Sequence, residues 1–152
     1  MENVAQVAAG HSHTLALTTD GHVYVWGGNI FGAVGEPQDV LYINTPKRVM
    51  SDASFISAGA FVNMVIKNDG SLWGWGYNLA GAVGSGHHNR YILNPTFIMD
   101  NVNHVSGGTW HTLAVLNDGT VMSWGANSLG ELGTYLPARM TPDKIDFDFI
   151  DS

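Results

Sequence analysis

The sequence contains no cysteine and few charged residues, and each shortage excludes a class of protein. Without cysteine, the 152-residue chain can form neither disulfides nor thiolate metal sites, so its stability must come from packing. Charged residues make up 12% of the chain and hydrophobic residues 45%. This balance excludes a disordered polyelectrolyte and a coiled coil, because both need many charges.

Basic residues are especially scarce, with six Lys and Arg against thirteen Asp and Glu, a formal net charge of −7. They are scattered along the chain, whereas phosphate-backbone binding needs clustered positive charge, so we predict no nucleic-acid partner. No run of 18 apolar residues and no signal-peptide pattern occurs, so we predict no membrane association. The compartment stays open, with the cytoplasm as the default expectation.

An internal repeat of 49 residues is the main signal in the sequence. Between Gly10 and Gly35, eight of 26 columns are identical in all three copies. A later proline keeps the 49-residue spacing between the first two copies, Pro46 and Pro95, but Pro142 comes two residues early in the third. The invariant columns are Gly10, Gly59, Gly108; Asp20, Asp69, Asp118; Gly21, Gly70, Gly119; Trp26, Trp75, Trp124; Gly27, Gly76, Gly125; Asn29, Asn78, Asn127; Gly32, Gly81, Gly130; and Gly35, Gly84, Gly133.

Each repeat is predicted to form four short antiparallel strands. Asp-Gly between two β-type runs is typical of a hairpin turn, because glycine accepts positive φ and aspartate bonds local backbone. The proline is expected to open the fourth strand, at an edge position that tolerates its missing N–H. In repeat 1 the strands are predicted around Val4 and Val7, at His13 to Leu17, at Val23 to Trp26 and at Lys47 to Met50.

Four-stranded units at this period predict an all-β fold of three four-stranded antiparallel β-propeller blades, with the Trp column filling the gaps between blades. We expect one partial propeller domain over residues 1–152. Its repeats span 4–52, 53–101 and 102–146, and residues 147–152 begin a fourth.

A motif runs through the repeats: a Gly, a His-Thr pair that begins three residues later, then Asp-Gly, Trp-Gly-x-Asn and Gly-x-x-Gly. This motif resembles the regulator of chromosome condensation repeat. Repeats 1 and 3 match it closely, whereas repeat 2 has Val62 and Asn63 in place of the His-Thr pair. The resemblance implies a seven-bladed ring, so the chain is expected to be a fragment or a truncation. A subunit that completes its ring by association is the alternative.

Related repeat proteins serve as exchange factors for the GTPase Ran, as chromatin-bound regulators or as bacterial binding modules. In that family the exchange activity is attributed to a wedge inserted within one blade. The strict 49-residue spacing leaves no room for such an insertion, so exchange activity is not expected. Chromatin association fits poorly with the net charge of −7, which favours a bacterial or phage-like interaction protein.

Candidate chemistry is weak throughout the chain. His87 and His88 are adjacent but lack a third ligand at a metal-binding spacing, so we predict no metal and no other cofactor. His13 recurs as His111, which favours a structural hydrogen bond within the blade. No nucleophile elbow Gly-x-Ser-x-Gly occurs, and the polar residues of the first strands (Gln6, Ser57, Ser106) are poor catalysts, so we predict no enzyme.

A recognition surface remains as the candidate site. In a four-stranded blade, the turn after the first strand and the long loop after the third lie on the same side, and aromatic residues at variable loop positions suit protein binding. Several of these side chains could instead cover the core of their own loop. The predicted partner-binding residues are Ser12, Phe31, Tyr42, Phe61, Tyr91, Trp110 and Tyr135.

The sequence leaves three alternative functions. The leading hypothesis is a protein–protein interaction module that binds a partner protein through this side. The alternative is a structural, scaffold-like fragment that self-associates through exposed blade faces. An enzyme with a pocket at the propeller axis is the third and least favoured.

Overall fold

Each repeat folds into one four-stranded antiparallel sheet, which we call a blade. The structure, a computed structural model, describes residues 1–146. Blade 1 contains β1 (Val4–Ala9), β2 (His13–Thr18), β3 (Val23–Gly28) and β4 (Tyr42–Met50). Blade 2 contains β5 (Ala53–Ala58), β6 (Val62–Lys67), β7 (Leu72–Tyr77) and β8 (Tyr91–Met99). Blade 3 contains β9 (Val102–Gly107), β10 (His111–Leu116), β11 (Val121–Gly125) and β12 (Arg139–Lys144).

Strands pair in chain order within each blade, which confirms the predicted all-β architecture. The first strands β1, β5 and β9 lie innermost and approach one another, so they line the axis around which the blades are arranged. The expected start of a fourth repeat, residues 147–152, lies outside the described residues. Among residues 1–146, no helix has the length and apolar content needed to cross a bilayer.

The prediction for the fourth strand was wrong about its start. The strand begins at Tyr42, not Lys47, and Pro46 lies inside it. The register shifts opposite the proline, since Val25 pairs with Lys47 but Gly27 pairs with Ile43. A proline is tolerated within an outermost strand at such an irregularity, because no ladder hydrogen bond is required of its nitrogen there.

The Asp-Gly turns connect second and third strands with positive-φ glycines at 87°, 84° and 87° in the three blades. The Asp69 carboxylate accepts hydrogen bonds from the Ser71 backbone nitrogen (2.9 Å) and hydroxyl (2.6 Å). The Asp118 carboxylate accepts one from the Thr120 nitrogen at 2.9 Å. These bonds lower the pKa of both carboxyls, and local bonding within the turn explains Asp69 and Asp118. The Asp20 carboxylate instead accepts from the Thr18 hydroxyl at 2.5 Å.

The glycine that precedes each second strand permits close packing. A Cβ on Gly10 would lie 2.0 Å from the His13 ring, and one on Gly108 would lie 2.5 Å from the His111 ring. Blade 2 has no histidine at this position, yet a Cβ on Gly59 would lie 2.3 Å from the Gly108 carbonyl oxygen of blade 3. Two different contacts therefore require the same glycine column.

Blades 1 and 2 are joined through the Ala33 carbonyl of blade 1. The Trp75 indole nitrogen donates to this oxygen at 3.2 Å, and the Asn63 amide nitrogen donates to it at 2.8 Å. Both side chains are fully buried. One backbone carbonyl of the first blade therefore accepts two buried donors of the second.

Blades 2 and 3 repeat the arrangement. The Ala82 carbonyl accepts hydrogen bonds from Trp124 Nε1 at 3.0 Å and from Thr112 Oγ1 at 2.8 Å. The two tryptophans fill the gaps between blades as predicted, whereas Trp26 of blade 1 is only half-buried. Asn63 of blade 2 thus donates the same hydrogen bond to the preceding blade as Thr112 of blade 3.

Other polar side chains also form hydrogen bonds between blades. His13 Nε2 lies 2.8 Å from Asn63 Oδ1, so the histidine bonds across the junction, and the prediction of a bond within its own blade was wrong. Burial lowers the pKa of His13, because the charged imidazolium is poorly solvated there. Near the axis, the Gln6 side-chain amide bonds both backbone groups of Ile56, at 2.8 and 3.0 Å.

Candidate functional site

The turns that follow the first strands meet at the mouth of the axis. The His11 nitrogen donates to the Ala60 carbonyl at 2.9 Å, and the Ala60 nitrogen donates to the Gly108 carbonyl at 3.2 Å. This series of backbone bonds fixes the three turns beside one another. We call the side of the molecule that bears these turns and the long loops after the third strands the loop side, and the opposite side the hairpin side.

A repeated asparagine organises each long loop. The Asn29 amide nitrogen donates to three loop carbonyls, including that of Val40 at 2.8 Å, and its oxygen accepts from the Val34 nitrogen at 3.3 Å. Asn78 and Asn127 each bond two loop carbonyls and one nitrogen in the same way. Because side-chain amides of this kind satisfy otherwise unpaired backbone groups, each loop has a defined shape.

Phe31 adopts a left-handed backbone conformation, with φ 57° and ψ 28°, in a short 3-10 turn over Ile30–Gly32. The residues at the same repeat position, Ala80 and Leu129, do not share this conformation. A bulky residue in this region is strained by about 1–2 kcal/mol, and such strain concentrates at functional sites. The backbone distortion is therefore specific to the repeat that carries the phenylalanine.

Phe31 lies at the centre of a cluster of rings drawn from all three blades. Its ring centroid is 5.0 Å from that of Phe61 and 4.7 Å from that of Tyr77. The Trp110 ring stacks on Phe61 at 5.4 Å and contacts Tyr77 at 4.9 Å. Tyr91 lies parallel to Phe31 at 6.2 Å. We call this group the aromatic cluster: His11, Phe31, Phe61, Tyr77, Tyr91 and Trp110.

Four of the seven predicted site residues thus come together, namely Phe31, Phe61, Tyr91 and Trp110. Tyr91 does so from the first position of β8 and Tyr42 begins β4, although both were expected in loops. Tyr42 and Tyr135 are exposed on the loop side, and within residues 1–146 neither makes a ring contact with the cluster. Ser12 is exposed in the first turn, where its carbonyl accepts the Gly28 nitrogen.

Two members of the cluster were missed from the sequence. Tyr77 follows the repeated Trp-Gly pair, at a position where the other repeats carry Gly28 and Ala126. Tyr77 is the only large residue in this column, and this difference could have identified it as a site residue. His11, whose ring lies 5.1 Å from that of Phe61, shares its column with Ala60 and Thr109 and offered a weaker one.

Exposed apolar side chains concentrate on the loop side. Of the twelve large hydrophobic residues that are exposed in the described structure, eight lie in its turns and long loops or at their edges. Single exposed apolar residues are ordinary, whereas a concentration of them marks an interaction surface. The eight are Ile30, Leu41, Tyr42, Leu79, Trp110, Leu129, Tyr135 and Leu136.

Charged side chains lie on both sides of the molecule. The hairpin side carries an aspartate at each of five turns. On the loop side the Arg90 guanidinium lies 5.4 Å from the Tyr91 ring centroid, and Glu131 bonds the Leu129 nitrogen at 2.8 Å. Within residues 1–146, no group of three or more His, Asp or Glu side chains could hold a metal ion. The five aspartates are Asp20, Asp52, Asp69, Asp100 and Asp118.

Three side-by-side blades of four antiparallel strands, with connecting loops gathered around an axis, define a β-propeller protein. The Regulator of chromosome condensation (RCC1) repeat matches residues 4–33 and 102–131, and a second profile of this repeat matches residues 69–115. The chain belongs to the regulator of chromosome condensation repeat family. Propellers of this type generally serve as protein-interaction or regulatory modules.

Relatives match over short segments of sequence. The chain is 46% identical to Protein RCC1 of Candida albicans over 46 residues, or 30% of this chain and 10% of that protein. It is 53% identical to the Ultraviolet-B receptor UVR8 of Arabidopsis thaliana over 32 residues, or 21% of this chain and 7% of that protein. The matched segments thus span a small part of these curated relatives.

Solved structures match over almost the whole chain. Yeast RCC1 (Prp20), in a complex with Kap60, aligns with a TM-score of 0.88 and 25% identity over 97% of this chain and 38% of its own. Prp20p of Saccharomyces cerevisiae, described together with its binding to Gsp1p and histones, aligns with a TM-score of 0.87 and 26% identity, covering 97% and 39%. These relatives bind proteins, and this chain spans less than half their length.

Proposed function

We propose that this chain is a protein-binding module that recognises a partner through its loop side and catalyses no reaction. One observation carries the proposal: the aromatic cluster joins rings from all three blades beside most of the exposed apolar side chains. Aromatic residues dominate the energetics of protein interfaces, because they bury large areas at a small cost in side-chain entropy.

The scaffold beneath the cluster supports such a role. The backbone bonds between the turns and the Asn29, Asn78 and Asn127 amides hold the loops in place before any partner arrives. A preorganised surface loses less conformational freedom on binding, so more of the contact energy contributes to affinity. The relatives that bind Kap60, Gsp1p and histones support a protein as the class of partner.

The proposal can be tested with a random peptide library displayed on phage and selected against the folded chain. Selected peptides are expected to lose at least about tenfold in affinity when Trp110→Ala and Tyr135→Ala are combined, since both side chains are exposed on the loop side. Phe97→Ala is the matched control, because Phe97 is exposed on the outer strand of blade 2. Undiminished binding to the double variant, or the absence of any enriched peptide, would reject the loop side.

A self-assembling role is the second candidate, favoured by the state of Trp26. This indole is half-buried, whereas its equivalents Trp75 and Trp124 are fully buried against a preceding blade. A further blade supplied by another copy would cover it. Light scattering over a range of concentrations should then show mass increasing with concentration, and a compact monomer at tens of micromolar would count against assembly.

A further inference from the structure

Blade 1 exposes side chains at repeat positions that blades 2 and 3 bury against the blade before them. Val7 is 67% exposed, whereas Ile56 and Val105, at the same repeat position, are each 1% exposed. We call this side of blade 1 the front face, and its exposed junction residues are Val4, Val7, Thr14 and Trp26, whose equivalents in blades 2 and 3 are all buried. The front face thus has the side chains of a blade junction.

Blade 3 shows the complementary difference on the side that points away from blade 2. Leu15 and Met64 are fully buried on β2 and β6, strands that contact the first strand of the following blade, whereas their equivalent Leu113 on β10 is half-buried. Val115 and Val121 are also half-buried at positions that are buried in blades 1 and 2. We call this side the rear face, and the first strand of a blade fits on it as β5 fits on β2.

The hydrogen-bonding groups of the two faces match as well. At both junctions one carbonyl, that of Ala33 or Ala82, accepts the indole nitrogen and a second side chain of the next blade. The third carbonyl at this repeat position belongs to Glu131, on the rear face, and within residues 1–146 it accepts no hydrogen bond. Trp26 Nε1 and Thr14 Oγ1, on the front face, also have no hydrogen-bond partner in that part of the chain. One copy therefore carries an open acceptor and its two matching donors.

We propose that the front face of one copy docks on the rear face of a second copy of this chain, with Trp26 Nε1 and Thr14 Oγ1 donating to the Glu131 carbonyl of the second copy. The occupant is a second copy because the chain already forms this contact twice, between blades 1 and 2 and between blades 2 and 3, with the same repeat positions. This inference rests on the second candidate function, self-assembly, and does not depend on the loop side.

Two variants that each block one face test the contact. Val7→Glu places a charge on the front face, and Leu113→Glu places one on the rear face. Light scattering of the unchanged chain should show mass increasing with concentration, whereas each variant alone should remain a monomer, because an unpaired charge is costly to bury. An equimolar mixture should form a complex of twice the monomer mass, since one variant keeps its rear face and the other its front face. This result is specific to a head-to-tail contact.

Leu79→Glu is the matched control, because Leu79 is an exposed apolar residue on the loop side and belongs to neither face. This variant should assemble as the unchanged chain does. Circular dichroism checks that each variant is folded, and Leu113→Asn is a milder variant if Leu113→Glu does not fold. An unchanged chain that is monomeric at hundreds of micromolar would overturn the proposal. Undiminished assembly of either folded single variant would also overturn it.

Removing a donor tests the hydrogen bonds of the proposed contact. Trp26→Phe keeps an aromatic ring but loses Nε1, and it is expected to weaken self-association by about fivefold. Thr14→Val keeps the shape of the side chain but loses the hydroxyl, with a similar expected effect. Trp73→Phe is the control, because Trp73 Nε1 donates to Ser71 Oγ within blade 2 at 2.9 Å, and it should change self-association by less than about twofold. Equal effects of Trp26→Phe and Trp73→Phe would contradict a bond to the Glu131 carbonyl.

The outcomes also separate this inference from the function on which it rests. If the unchanged chain assembles and Leu79→Glu prevents assembly while Val7→Glu does not, self-assembly is supported and the head-to-tail contact is wrong. If the unchanged chain stays monomeric, both are wrong. In either case, library peptides that need Trp110 and Tyr135 would still support partner binding at the loop side.

Discussion

The hairpin side and the loop side are built from the same three repeats, yet they differ in how strictly the repeat is kept. On the hairpin side the Asp-Gly pair recurs unchanged, with closely similar glycine φ angles. On the loop side one position holds Ser12, Phe61 and Trp110 in turn. The positive-φ turns of the hairpins leave little choice of residue. The loops are held by hydrogen bonds to the repeated residues, so their exposed positions accept different side chains.

The junctions between blades also support the loop side. Ala33 directly follows the turn that carries Phe31, and its carbonyl accepts the Trp75 and Asn63 donors of the next blade. Changes at a junction should therefore disturb the loop side, while the hairpins stay formed through their local bonds.

Removing a junction tryptophan should have the largest effect on stability. Trp75→Ala is expected to lower the free energy of unfolding by about 3–5 kcal/mol, because it leaves a large cavity in the core. The matched change Trp26→Ala, at a half-buried site, should cost about 1–2 kcal/mol. Chemical denaturation measures both values, and Trp75→Phe is a milder variant if the first does not fold. Equal losses at the two sites would refute the junction account.

Phe31→Asn should separate stability from binding. Asparagine tolerates the left-handed backbone, so relief of strain of about 1 kcal/mol offsets much of the lost ring packing, and stability should change by less than about 1 kcal/mol. Affinity for the library peptides should nevertheless fall at least about tenfold. Leu129→Asn, at the same repeat position in blade 3 where the backbone is ordinary, is the control for the effect on stability only. A large loss of stability without loss of binding would contradict the assignment of Phe31 to the site.

Acid should weaken the blade 1–blade 2 junction before it affects the hairpins. Because burial lowers the folded-state pKa of His13, stability should fall as the pH drops below about 6.5, where the unfolded histidine takes up a proton first. The hairpin carboxyls also have lowered pKa values, so their contribution should be lost only as the pH falls below about 4.

His13→Val, which copies the residue of repeat 2 at this position, provides the comparison for the acid effect. Thermal melts of both proteins between pH 7 and 5 should show a steeper loss of stability in the unchanged chain. Parallel pH profiles would mean that His13 does not titrate differently on folding.

The sequence predicted most of the fold because its repeated residues each satisfy a local structural requirement. The Asp-Gly turns, the close-packed Gly10 column and the junction tryptophans each need one residue type. The start of the fourth strand was misplaced, because Pro46 indicates an edge but not whether the strand begins there or runs through it. The turns at Asn3, Asp52 and Asn101, all with φ near 60°, escaped notice because asparagine and aspartate alternate in that column.

The site was harder to predict, because it depends on contacts between blades. Variable aromatic residues identified Phe31, Phe61, Tyr91 and Trp110, which the structure brings together. No pattern within one repeat shows that Tyr77 at a strand end reaches Phe31 of the preceding blade and Trp110 of the next. Which loop aromatic residues converge depends on how the blades are rotated against one another.

The most direct test of the central claim is a map of amide shift changes in the 15N-labelled chain as a library-selected peptide is added. Binding at the loop side predicts the largest changes at His11, Phe31, Phe61 and Trp110, with the Asp-Gly turns unaffected. Changes concentrated at Asp20, Asp69 and Asp118 would place the partner on the opposite side and contradict the account.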